Sequence, residues 1–141
     1  MNAGLAARIS LPEWSVLLSV GNDVIDGEHR AFLHQVGHAV ILIEQSDIPE
    51  IKTAIVTLVK CLKAHFESEE RIFNRTAYPG AMSHATEHHV LYHMAFSLRE
   101  QVEESDDLTY VALSLRYLAQ LVVEHLVETD MGYRPYLAEV A

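Results

Sequence analysis

Cysteine is almost absent from this chain: of 141 residues only Cys61 is one. That excludes an intrachain disulfide, a thiolate zinc site and a CxxC redox pair, and a reducing cytoplasm suits such a chain best. Cys61 lies next to Leu62 inside an apolar helical pattern and reads as a small packed side chain. Glycine and proline are also scarce, at 6 and 4, and they fall in short clusters, which disfavours a loop-rich or β-rich fold and favours helices with tight connections. The 10 basic residues never form a run of three in a chain of net charge −10, so nucleic acid and anionic membranes are excluded as partners. No apolar stretch reaches the ~18 residues of a membrane span, and residues 1–10 lack a cationic segment followed by a long apolar one. The expectation is a soluble, unexported chain.

What remains is one domain's length of sequence, half of it apolar, with helical periodicity. After an arm over 1–20 that carries Pro12 and Trp14, a series His29, Leu33, Val36, Val40, Ile43 steps by 4 and 3, as an amphipathic helix requires. Ser46, Asp47, Ile48 and Pro49 break it, with Asp47 as cap and Pro49 in the next first turn. Further series run Ile51, Ile55, Leu58, Leu62, His65, Glu69, Ile72; then His84, His88, Leu91, Ala95, Leu98, Val102; then Leu108, Val111, Leu115, Leu118, Val122, His125. The reading is all-α: helices over about 23–45, 49–76, 81–104 and 107–129 and a tail over 130–141, packed as an antiparallel up-down-up-down four-helix bundle.

The abundant residue is histidine, 9 in all, with no single tract. His65 and Glu69, His84 and His88, and His125 all occupy core positions of their stripes. One such histidine is ordinarily a hydrogen-bonded core residue. Five ionisable groups in one layer are different, because burial without partners would cost several kcal/mol, and a bound metal removes that cost. Residues four apart point the same way, so His65 with Glu69 and His84 with His88 are natural ligand pairs. Asp130 lies five residues after His125, a rotation of about 140°, and reaches the core only if the helix widens or ends there. His29 completes a set drawn from all four helices. Imidazole and carboxylate suit iron, zinc or manganese, and spacing does not choose among them.

The ordered motifs resemble the hemerythrin family, specifically its bacterial single-domain members. They are Trp14, then Val24 through His29, His65 through Glu70, Tyr78-Pro79, His84 with Glu87-His88, and His125 through Asp130 to Tyr133. The resemblance implies two non-haem iron ions joined by an oxo or hydroxo bridge: His84, His88 and His125 on one, His29 and His65 on the other, Glu69 and Asp130 bridging. It implies reversible dioxygen binding at the open position of the two-histidine iron, for carriage, storage or delivery, without catalysis. Electron and proton movements there leave the net charge of the centre unchanged, which a low-dielectric pocket favours. Where the family commonly has Trp and Met, this chain has Leu121 and Phe73, changes that concern pocket packing and oxygen access.

Two rivals share this chemistry. A di-iron oxidase or iron-handling protein of the ferritin-like type carries Glu-x-x-His pairs, and no histidine here has Glu three residues before it. HExxH, the metalloprotease signature, is missing too. An oxygen- or redox-sensing domain would pass its signal to an output domain in a longer protein, whereas a carrier would serve as donor to a partner such as an oxygenase. A metal-free bundle leaves the seven-residue coincidence unexplained. His34, His38, His89 and His93 fall off their stripes and are read as boundary or solvent-facing.

Overall fold

A computed structural model describes residues 19–76, 78–126 and 134–137. Four long helices account for most of them: α1 (Asp23–Gln45), α2 (Ile48–Phe73), α3 (Ala81–Glu103) and α4 (Leu108–Glu124), followed by the single turn α5 (Arg134–Leu137). Polar residues fix the starts of α1, α2 and α4, each by accepting backbone N–H groups left over in a first turn. Asn22 accepts from Val24 and Ile25 at 3.0 and 3.1 Å, Asp47 from Glu50 at 3.1 Å, and Asp107 from Tyr110 at 3.2 Å. Asp47 thus caps α2, with Pro49 in its first turn. At the other end of α1, Ser46 takes the left-handed conformation (φ 59°) and its N–H bonds back to Ile43, which turns the chain sharply into α2.

The helices pack as a ring, α1 on α2, α2 on α3, α3 on α4 and α4 on α1, and α2 also meets α4 across the diagonal. The all-α four-helix bundle read from the periodicity is the fold, and among the described residues there is no strand. Ile43, Ile51, Ile55, Leu58, Leu115 and Leu118 form its dry centre, each at most 2% exposed. Removing any one to Ala would cost roughly 2–5 kcal/mol by the usual behaviour of such sites.

One end differs from the sequence reading. α2 stops at Phe73 rather than 76, because Arg75 and Thr76 bond back three residues to Ile72 and Phe73 in a tightened turn. α4 is regular to Glu124 and then widens into a π-type turn at His125 and Leu126. Of the expected arm, Ser19 and Val20 are described; both bond the carboxylate of buried Asp26, which ties the chain to the start of α1. Trp14, Asp130 and Tyr133 lie outside the described residues. Among the described residues no helix is long and apolar enough to cross a membrane.

Candidate metal centre

The site forms at the end of the bundle where α1 and α3 begin and α2 and α4 finish. His29 stands on α1, His65 and Glu69 on α2, His84 and His88 on α3, and His125 just past α4. All six are buried, none more than 4% exposed. Their donor atoms fall into two groups, Glu69 with His84, His88 and His125, and Glu69 with His29 and His65; within each group all lie within 4.8 Å of one another. Glu69 belongs to both.

The distances have a physical meaning. Donors on one ion about 2.1 Å away lie about 3.0 Å apart at right angles and about 4.2 Å apart when opposite. Here the Nε2 atoms of His29 and His65 are 3.2 Å apart, and Glu69 Oε1 is 2.9 Å from His65 Nε2, 3.2 Å from His88 Nε2 and 4.0 Å from His84 Nε2. These are spacings of an ion's coordination sphere. Both ring nitrogens of His88 are buried without a hydrogen bond, and its approach to Glu69 lacks the direction of one. An imidazole left so would cost about 1–3 kcal/mol, which coordination recovers. With only imidazole and carboxylate donors, the residues fit an iron pair.

Carboxylates that the sequence reading gave no role stand behind three histidines. Glu28 Oε1 lies 2.7 Å from His65 Nδ1, Glu70 Oε2 3.5 Å from His88 Nδ1, and Glu87 Oε1 3.4 Å from His125 Nδ1. At hydrogen-bond distance, Glu28 holds the proton on His65 Nδ1 and leaves its Nε2 lone pair directed inward, while Glu70 and Glu87 face their histidines at ion-pair range. Each acid reaches from one helix to the next, α1 to α2, α2 to α3, α3 to the end of α4. A signal was available: Glu28, Glu70 and Glu87 each adjoin a candidate ligand in sequence, so each points about 100° away from it, toward a neighbouring helix.

Aromatic rings close the layer. Phe66 stacks on His88 (centroids 3.9 Å apart, 10° between planes) and meets His125 edge-on at 5.5 Å. Phe73, buried, packs against His84 at 4.8 Å, and Phe32 meets His65 at 5.2 Å. Tyr78 lies near His84 only because residue 80 is glycine: a Cβ there would fall 2.5 Å from the Tyr78 hydroxyl. On the outside, a cavity of about 140 Å³ between α1 and α2 ends on Glu28 and His65 and is lined by Phe32, Gln35 and Cys61. Cys61 is half-buried and accepts a hydrogen bond from Gln35 at 3.2 Å.

His34, His38, His89 and His93 are exposed and away from this cluster, although the rings of His89 and His93 touch each other at 4.5 Å. His34→Ala should therefore leave iron content and optical spectrum unchanged, as metal analysis of the purified variant would check.

Comparison with known proteins agrees with this geometry. Residues 20–137 match the family Hemerythrin, described as the hemerythrin HHE cation binding domain. A bacteriohemerythrin of Stenotrophomonas maltophilia (strain R551-3) is 22% identical over 125 residues, covering 89% of this chain and 80% of that protein. Another, from Clostridium acetobutylicum (strain ATCC 824), is 24% identical over 124 residues, covering 85% of this chain and 96% of its own length. Because the family match runs through all four long helices and takes in every residue of the buried cluster, the chain belongs to the hemerythrin family.

Proposed function

We propose that this protein binds dioxygen reversibly at a non-haem di-iron centre held by His29, His65, Glu69, His84, His88, His125 and Asp130, and that it carries, stores or delivers oxygen rather than transforming a substrate. Hemerythrin domains bind such a centre, and the His/Glu cluster is a place for it. The observation that carries the reading is the inequality of the two donor groups around Glu69: three histidines on one side, two on the other. The two-histidine side leaves more of an ion's coordination free for a diatomic ligand.

An iron pair bound there supplies the electrons that dioxygen takes up and returns. The chain's own part is to keep the geometry fixed and dry. Glu69, fully buried, faces both histidine groups and would tie the ions together. Glu28 orients the His65 imidazole and Glu70 and Glu87 stand beside those of His88 and His125, while Phe32, Phe66 and Phe73 pack around the rings and shield them from water. Asp130, outside the described residues, is the second bridging residue proposed, on the strength of the family resemblance of His125 through Tyr133.

Anaerobic loading with ferrous iron should give about two ions per chain, as expected of a di-iron bundle. Exposure to air should raise a visible charge-transfer absorption that disappears on deoxygenation and returns over repeated cycles. An absorption that bleaches for good on first exposure, or no oxygen-dependent change in fully loaded protein, would overturn reversible binding.

A further inference from the structure

The three outer carboxylates are not held alike. Glu70 and Glu87 stand 3.5 and 3.4 Å from their histidines with 43% and 40% of their side chains exposed. Glu28 is 27% exposed and is fixed at both oxygens: Oε1 faces His65 Nδ1 at 2.7 Å, and Oε2 accepts the Ser68 hydroxyl at 2.9 Å. Ser68, itself buried at 8%, accepts in turn from Arg71 Nη2 at 3.2 Å. A continuous line thus runs from a surface guanidinium on α2, through Ser68 and Glu28, to the ring of His65.

The rings on the other side have a different support. His84, His88 and His125 lie against one another with centroids 4.6 to 5.1 Å apart, and Phe66 and Phe73 pack on them. That ring packing restricts how those imidazoles turn. His65 meets His29 and Phe32 edge-on and Phe66 at a tilt, and its Nδ1 is held by Glu28. With two imidazoles in place of three, the ion on that side is also more sensitive to any loss of orientation.

We propose that Ser68 and Arg71 are positioning residues for the two-histidine side: through Glu28 they hold the His65 imidazole in the tautomer and orientation that the ion there requires, so that they set its retention separately from that of its neighbour. This rests on the assignment of His29 and His65 to one ion and His84, His88 and His125 to the other. Without the Ser68 hydroxyl, Glu28 Oε2 turns to solvent, the carboxylate regains rotamer freedom, and the His65 ring loses its anchor. The arginine adds charge to the same line; being exposed, it acts weakly and is screened by salt.

Cobalt(II), which reports ligand field and does not turn over with dioxygen in the native manner, is the probe. Metal-free wild-type protein titrated with it should take up about two equivalents. Ser68→Ala should keep one equivalent at wild-type affinity and bind the other at least about tenfold more weakly, the usual consequence of losing an outer partner. Ser68→Thr should restore it, and Arg71→Ala should show a smaller effect that vanishes at high salt. In the metal-free state, the ¹⁵N shifts of the His65 ring should move toward a tautomer mixture in Ser68→Ala and return in Ser68→Thr. Equal weakening of both equivalents together with a lowered melting temperature would mean a merely structural role and overturn the proposal, as would unchanged binding of both. Uptake of fewer than two equivalents by wild type would instead overturn the ligand assignment beneath it.

Discussion

Glu69→Gln is expected to drop the iron content from about two ions per chain to less than one while leaving the bundle folded, because the residue lost is the one that belongs to both donor groups. Glutamine keeps the volume and one carbonyl oxygen, so the packing around a side chain with no exposure is preserved. What disappears is the negative charge and the second equivalent oxygen, on which simultaneous contact with two cations depends. The carboxylate oxygen stands 2.9 and 3.2 Å from His65 and His88, and an amide oxygen can take that place. Metal-free Glu69→Gln should therefore melt close to metal-free wild type, whereas the loaded forms should differ widely. Metal analysis with circular dichroism on both forms separates these effects. Full iron occupancy in Glu69→Gln would show that the carboxylate is no ligand.

Removing the metal from wild-type protein should lower its melting temperature by about 15 °C. Two ions, each at about a hundredfold excess over its dissociation constant, stabilise the folded state by about 5 kcal/mol together. A domain of this length shifts by about 3 °C per kcal/mol. Without the ions, five imidazoles and a carboxylate remain buried in one layer, and His88 has neither ring nitrogen hydrogen-bonded. Scanning calorimetry before and after reduction and chelation measures the shift, and reloading with zinc should restore most of it. A change of under about 2 °C would mean that the cluster is satisfied without metal.

The parts of the molecule that were legible in the sequence share one property: they repeat with the helical period. Ile51, Ile55, Leu58, Leu62, His65, Glu69 and Ile72 form one unbroken stripe, and all seven are buried on α2. The same arithmetic located His29, His84, His88 and His125, which meet at one end of the bundle. Features that the period does not encode went unread. The end of α2 was overrun by three residues because no breaker precedes Pro79, and the tightened turn at 74–76 is a backbone event without a sequence mark. Glu28, Glu70 and Glu87 lie off their stripes, and their role depends on which helix stands beside which, information that a single helical wheel lacks. The widened turn at His125 was expected only as one of two ways to bring Asp130 inward, and Asp130 lies outside the described residues.

The outer carboxylates also bear on how such a centre comes together. Glu28 bonds a histidine on the following helix, Glu70 faces one a helix later, and Glu87 faces one at the close of α4. Each of these three supports lies within a pair of helices consecutive along the chain, and none of the three bridges the ends. A nascent polypeptide can therefore prepare each imidazole as soon as the adjoining hairpin docks, in order from amino to carboxyl terminus. The packing of α4 against α1 and α2 comes last, so loop-closure entropy for the scaffold is met in short instalments. The centre is, in that sense, a string of local clasps, and its metal chemistry is assembled by neighbours before it is shared by all four helices.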